Sequence, residues 1–200
     1  MKSVTVLAYG AGNVASVQFA LERLGAAVRL TSDPVDVAEA ERVILPGVGQ
    51  AGYAMARLDE LGLTEAVRAF PRPLLGVCLG QQLLFADSEE GGGTPLLDLI
   101  PGRVRKLEPG SRLPVPHMGW SRLDVTREDP LLEGIGGEAW AYFLHGFVCP
   151  DSPATLARAD YGGVVPAVVR QANRWGCQFH PERSAKAGAR ILKNFLELTA

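Results

Sequence analysis

The stretch "LLGVCLGQQLLF", Leu74 to Phe85, carries an apolar run into a corner and out into helix-like sequence, with Cys78 between Gly76 and Gly80. A nucleophile on such a strand–turn–helix corner sits in strained backbone, so the residues packed against it must be small, and glycine hinders least. The side chain then projects from the carboxyl end of the strand at a helix start, where free N–H groups and the dipole favour a thiolate. The backbone N–H of Leu79 becomes one donor for an oxyanion. The competing reading is a small structural cysteine in a packed strand.

A thiol that transfers acyl groups needs a base, and the base needs an orienting group. The chain has three histidines: His117 in "VPHMGW", His145 in "YFLHGF" and His180 in "QFHPERS". Only His180 is followed closely by an acid, Glu182, with Pro181 restricting the turn between them. Cys78, His180 and Glu182 therefore make a coherent nucleophile, general acid/base and orienter, against the bland reading of a surface turn. Their separation along the chain is no objection, since such partners meet in the fold. A third element is "LPGVGQ", Leu45 to Gln50. Glycines on both sides of Val48 free the backbone to aim an N–H at an oxyanion, so Gly47, Val48 and Gly49 are the candidates for the second donor, against a plain strand-to-helix turn.

These groups need a scaffold, and the first half of the chain alternates strand-like and helix-like segments. "SVTVLAYG", "AVRLTS", "RVILPGVG" and "PLLGV" read as strands. "NVASVQFALERLG", with Val14, Val17, Leu21 and Leu24 on one face and Gly25 as its stop, reads as a helix, as do "AGYAMARLDELG" and "TEAVRAF". The "RVILPGVG" run is almost wholly apolar, as a parallel strand covered on both faces requires. Such alternation implies a parallel sheet with right-handed crossovers. After Gly91–Gly93, which reads as a mobile loop, the texture turns to short strands: "GRVRKL", "GWSRLDVT", "AWAYFLHGFV", "ATLARAD", "AVVRQA" and "WGCQF", the last two a hairpin across Asn173-Arg174. A closing helix, "SAKAGARILKNFLEL", faces the core with Ile191, Phe195 and Leu198. The expected organisation is one domain over residues 1–200.

Composition bounds the function classes. A chain of 200 residues, 47% hydrophobic, 21% charged and with a formal net charge of −2, has no nucleic-acid footprint, and its longest basic run is "RVRK". Neither a signal peptide nor a membrane-length apolar segment stands out, and three cysteines without close pairing fit a reducing compartment, so a cytoplasmic protein is expected. Cys149 and Cys177 read as buried structural thiols. "GAGNVA" with Asp33 some way beyond mimics a dinucleotide fingerprint, which stays open as a minor alternative. No ligand spacing points to a metal. A regulatory subunit with a redox-sensitive Cys78 also stays open.

Taken together, "GVCLGQQ", "LPGVG" and "QFHPERS" resemble the class I (triad-type) glutamine amidotransferases, in order and along the whole chain. The resemblance implies an α/β, flavodoxin-like three-layer fold with a central mostly parallel sheet, a nucleophile elbow and additional antiparallel strands in the second half. It implies hydrolysis of L-glutamine through a Cys78 thioester, without cofactor or metal. By motif position it implies that Gln82, the Gly47–Gly49 backbone and the segment around His145 contact that glutamine. "PGVG", "PHMGW" at Pro116 to Trp120, "YFLHGF" at Tyr142 to Phe147 and the opening "YGAGNVASV" resemble the branch serving histidine biosynthesis. That branch implies a cyclase partner with a (β/α)₈ barrel, forming a heterodimer, docked near those two segments. Branches serving anthranilate or pyridoxal phosphate synthesis keep the same triad. Ala8, Ser121, Gly146 and Phe147 depart from the family pattern and leave side-wall contacts open.

Overall fold

A computed structural model describes residues 2–110 and 113–199. The chain begins with β1 (Ser3–Leu7), α1 (Val14–Arg23), β2 (Ala27–Thr31), α2 (Pro34–Glu39), β3 (Val43–Gly47), α3 (Ala51–Glu60), α4 (Leu63–Ala69) and β4 (Leu74–Cys78). It continues with α5 (Leu79–Leu83), β5 (Phe85–Ser88), β6 (Thr94–Pro95), β7 (Ile100–Lys106), β8 (His117–Arg122) and β9 (Asp124–Val125). The last elements are β10 (Trp140–His145), β11 (Phe147–Val148), β12 (Thr155–Asp160), β13 (Val164–Gln171), β14 (Arg174–Cys177) and α6 (Ala185–Glu197).

The main sheet has the order β2-β1-β3-β4-β14-β13-β12-β9. Its first five strands are mutually parallel and the remaining pairings are antiparallel. β3 and β4 are buried along their whole length, as their unbroken apolar sequence requires. Strand side chains alternate between two cores. Val6, Ile44, Leu75 and Val77 pack with Leu21 of α1 and with Ile191 and Phe195 of α6. Leu7, Leu45 and Leu74 pack on the other face with Val37, Leu58 and Val67 of α2, α3 and α4. Helices on both faces of one sheet make the three layers. A smaller sheet, β11-β7-β5-β6, and a two-stranded ribbon, β8 with β10, complete the second half.

Several expectations need correction. α2 is absent from the sequence reading, although Asp33 caps it by accepting from the Val35 N–H (2.8 Å) and Pro34 opens it. That same cap occupies the carboxylate on which the dinucleotide reading depended. The helix after Cys78 is only five residues long, because the chain at Phe85 is drawn off to pair with β7 and β6. "GWSRLDVT" and "AWAYFLHGFV" each divide between two sheets, the second at Gly146, whose carbonyl accepts from Leu107 N–H (2.9 Å). The β13–β14 hairpin turns at Ala172-Asn173, one residue earlier than expected, with Ala172 in the left-handed region (φ 51°). Glu90–Gly92 form a 3₁₀ turn rather than a plain loop, Gly91 to Gly93 all having positive φ. Among the described residues no helix is long and apolar enough to cross a membrane.

Candidate active site

Cys78 ends β4 with φ 55° and ψ −109°, a conformation that costs energy for any residue with a Cβ. The surrounding glycines make it possible. A Cβ on Gly80 would collide with the Leu45 carbonyl oxygen, and one on Gly76 with the Gly80 carbonyl. A Cβ on Gly47 would lie 2.9 Å from the Gly80 nitrogen, and one on Gly176 would lie 2.6 Å from Gln81 Cγ. Four bare α-carbons on four neighbouring segments let the corner close. Leu79 follows as the first residue of α5, so its N–H has no partner within that helix.

The sulfur lies against the ribbon: Cys78 Sγ donates to the Leu144 carbonyl at 3.6 Å, and Gln178 Nε2 donates toward Sγ at 3.9 Å. His180 reaches the same place from beyond β14. Its backbone N–H donates to the Tyr142 carbonyl (2.9 Å), and its carbonyl accepts from Ser184 Oγ (2.6 Å). Pro181–Arg183 form a single 3₁₀ turn that folds Glu182 back, leaving His180 Nδ1 2.9 Å from Glu182 Oε1. Since the carboxylate accepts, Nδ1 carries the hydrogen and Nε2 is the nitrogen left to exchange a proton with the reacting groups. Burial alone lowers the pKa of His180, but hydrogen bonds to Cys78 and Glu182, together with their negative charge, outweigh it and raise it to about 10. Thus the three residues singled out for nucleophile, base and orienter are brought together.

The Pro46–Gly49 turn lies beside them, with Gly47 the register partner of Cys78 across β3 and β4. Tyr9 Oη donates to the Pro46 carbonyl (2.8 Å) and ties the turn to β1. Val48 is exposed and Gly49 takes φ +94°, so the end of the turn is held by little more than its own backbone. Gln82 lies on α5 with Nε2 3.0 Å from both the Phe147 carbonyl and Gln178 Oε1. His145 is close by, but its ring bonds the Phe147 carbonyl through Nδ1 (2.8 Å) and His117 through Nε2 (3.0 Å).

Sequence reasoning missed three features of this region. Gln178 stands inside the quoted "QFHPERS" stretch, and a buried polar residue two before the histidine, just past the end of β14, was the available signal. The His117–His145 contact depends on their being register partners across β8 and β10, which no local pattern reveals. Glu90 accepts from Ala51 N–H at the first turn of α3 (2.7 Å), placing a carboxylate beside the Pro46–Gly49 turn and at the favourable end of that helix.

The pattern of the family described as glutamine amidotransferase class-I matches residues 6–198. The imidazole glycerol phosphate synthase subunit HisH of Xylella fastidiosa (strain Temecula1 / ATCC 700964) is 51% identical over 200 residues, covering all of both chains. The protein of the same name from Xanthomonas euvesicatoria pv. vesicatoria (strain 85-10) is 50% identical over 199 residues, 100% of this chain and 99% of the other. A crystal structure of a glutamine amidotransferase superposes with a TM-score of 0.76 at 25% identity, over 97% of each chain. A glutamine amidotransferase from Thermotoga maritima gives 0.64 at 16% identity, over 94% of this chain and 79% of that one, a likeness of fold. With a cysteine on a strained corner, an imidazole bonded to a carboxylate, and a family match spanning nearly every residue, the chain belongs to the class-I glutamine amidotransferases.

Proposed function

We propose that this chain is the glutaminase subunit of an imidazole glycerol phosphate synthase in histidine biosynthesis, with Cys78, His180 and Glu182 as its catalytic residues. The observation that carries the reading is the 51% identity to a HisH protein over the full length of both chains. The placement of His180, with Glu182 on Nδ1 and Cys78 on its other side, supports the chemistry.

Cys78 Sγ, its proton already passed to His180, attacks the side-chain amide carbon of L-glutamine. The new C–S bond pushes the carbonyl electrons onto oxygen, where Leu79 N–H and an N–H of the Gly47–Gly49 turn hold the negative charge. His180 then returns its proton to the departing nitrogen; the C–N bond breaks, and ammonia leaves a glutamyl thioester. Water, deprotonated by His180, attacks the thioester, and glutamate departs as the thiol regains a proton. Glu182 keeps Nδ1 protonated and steadies the imidazolium at each step. Gln82 keeps its Oε1 as an acceptor for a donor group of glutamine, since its Nε2 is engaged on both sides.

Ammonia passes to a cyclase partner with a (β/α)₈ barrel, in a cytoplasmic heterodimer. Support for the docking face comes from the ribbon. Met118, Trp120, Trp140 and Leu144 alternate out of β8 and β10 and are exposed on one surface, while Ser121, Ala141 and Phe143 point inward. An aromatic and methionine cluster of this kind marks a protein interface. The lightly held Pro46–Gly49 turn is the second half of the proposal: its oxyanion N–H comes into aim when the partner binds its own ligand.

The test is complementation of a bacterial histidine auxotroph lacking its own glutaminase subunit. Growth with the wild-type chain and none with Cys78→Ala is expected. Growth with both variants, or with neither while an anthranilate or pyridoxal phosphate auxotroph is rescued, overturns the assignment.

A further inference from the structure

Two buried histidines remain unused by the proposed chemistry, and they join a continuous run of hydrogen bonds ending at the nucleophile. Ser121 Oγ lies 2.9 Å from His117 Nε2, and His117 Nδ1 lies 3.0 Å from His145 Nε2. His145 Nδ1 is 2.8 Å from the Phe147 carbonyl, which also accepts from Gln82 Nε2 at 3.0 Å. Gln82 Nε2 donates its other hydrogen to Gln178 Oε1 (3.0 Å), and Gln178 Nε2 faces Cys78 Sγ at 3.9 Å.

The direction of every bond in this run is forced. A backbone carbonyl can only accept, so His145 carries its hydrogen on Nδ1 and leaves Nε2 bare. His117 must then donate from Nδ1, which leaves its own Nε2 to accept the Ser121 hydroxyl. From the other side, the same Phe147 carbonyl fixes which end of the Gln82 carboxamide faces it. The amide nitrogen turns inward, Oε1 stays available, and Gln178 is obliged to present its oxygen to Gln82 and its N–H to the sulfur. Both histidines are held neutral, as the relay needs: burial lowers His117 to about 4, and burial, the largest cause, lowers His145 to about 4 despite the bond to Phe147. His117 is clamped face-on between Tyr161 (ring centroids 3.9 Å apart) and Phe143 (4.7 Å), so it cannot swing away.

We infer that Ser121, His117 and His145 form a positioning relay that anchors the Phe147 carbonyl, and that this carbonyl, accepting from His145 on one side and from Gln82 on the other, fixes the carboxamide orientations of Gln82 and Gln178, and through them the acceptor offered to glutamine and the donor offered to the Cys78 sulfur. The inference rests on the glutaminase reading for the last two roles, while the relay itself is a matter of tautomers. None of the three relay residues reacts; each acts through the next.

Two measurements decide it. In ¹⁵N-histidine NMR of the full chain at neutral pH, His117 and His145 are both expected as Nδ1–H tautomers; an Nε2–H tautomer at either one overturns the relay. In the complex with the barrel subunit, His145→Leu is expected to raise KM for glutamine about tenfold or more, by freeing the Phe147 carbonyl that holds Gln82 in place. His145→Asn, whose Nδ2 stands where Nδ1 does and still donates to Phe147, is expected to return KM to within about threefold of wild type. Leu and Asn variants with the same KM, whether impaired or normal, overturn the positioning role. A wild-type complex inert toward glutamine would defeat the proposed function instead, and the tautomer measurement would still decide the relay.

Discussion

Gly80 sits with its α-carbon directly against the Leu45 carbonyl oxygen, leaving no room for a methyl group between α5 and β3. Because the obstacle is backbone on one side and backbone on the other, no side-chain rotation relieves it. Gly80→Ala is expected to destabilise the fold by about 3 kcal/mol or more, the upper range for overpacking. Urea unfolding checks this, and an unchanged midpoint would contradict the close packing of the corner.

Glu182→Gln tests the orienting role separately from the thiol. An amide can turn its NH₂ toward His180 and impose the wrong tautomer, so kcat for glutamine is expected to fall by about 10²- to 10⁴-fold with little change in KM. Steady-state kinetics in the complex decides it. A fall of less than tenfold would remove Glu182 from the proposed triad.

The buried histidines set an acid limit on stability. His117 and His145 fall to about 4 in the folded chain, below the ordinary value near 6.5. Between those values the unfolded chain binds more protons than the folded one, so stability falls as pH falls. The loss amounts to about 2 kcal/mol for each by pH 5. His180 runs the other way. Raised to about 10, its contribution is fully present below 6.5 and is lost as pH climbs through about 10. Over pH 7 to 5 it offsets about 1 kcal/mol of the loss. Urea midpoints should therefore drop between pH 7 and pH 5, where most carboxylates are still ionised, and a flat profile would argue against the neutral relay.

The exposed ribbon face should carry binding energy. Trp120 and Trp140 are 49% and 51% exposed, far more than large aromatic side chains usually are without a partner. Trp120→Ala is expected to weaken the complex with the barrel subunit by about 2 kcal/mol, roughly thirtyfold in Kd, while leaving the melting temperature of the free chain nearly unchanged. Titration calorimetry with the partner reads this, and unaltered affinity would move the docking face elsewhere.

Gly49 is the place to test partner control. A Cβ there meets nothing within 4 Å, so only its φ of +94° opposes alanine. The glutaminase rate is expected to rise about 100-fold or more when the liganded cyclase is added, the scale of gaining one oxyanion donor. Gly49→Ala should shrink that ratio by stiffening the turn. Equal rates with and without the liganded partner would dismiss the gating idea.

Most of the site was legible because its signals are local. The glycines around Cys78 and the His180-Pro181-Glu182 turn declare themselves within a few residues, and the apolar runs of β1, β3 and β4 declare the sheet. What stayed hidden is what depends on register. Ser121, His117 and His145 form a unit only because β8 and β10 pair antiparallel, and Gln178 reads as an ordinary buried amide until the fold brings Gln82 to it. Asp33-Pro34 is the opposite case: a local helix-start signal was present, but Asp33 was absorbed into a competing motif. The two long strand readings failed because one glycine, or one inward leucine such as Leu123, hands the chain from one sheet to another without breaking its apolar texture.

The interior placement of the other two sulfurs carries a practical consequence. Burial raises Cys149 to about 12 and Cys177 well above its ordinary range, so neither ionises at neutral pH. Only the sulfur at the corner stands beside an imidazole that can relieve it of its proton. An alkylating electrophile added in slight excess to the native protein should thus consume one equivalent and stop, which turns a mass spectrum into a count of competent sites without a single cysteine having to be engineered away.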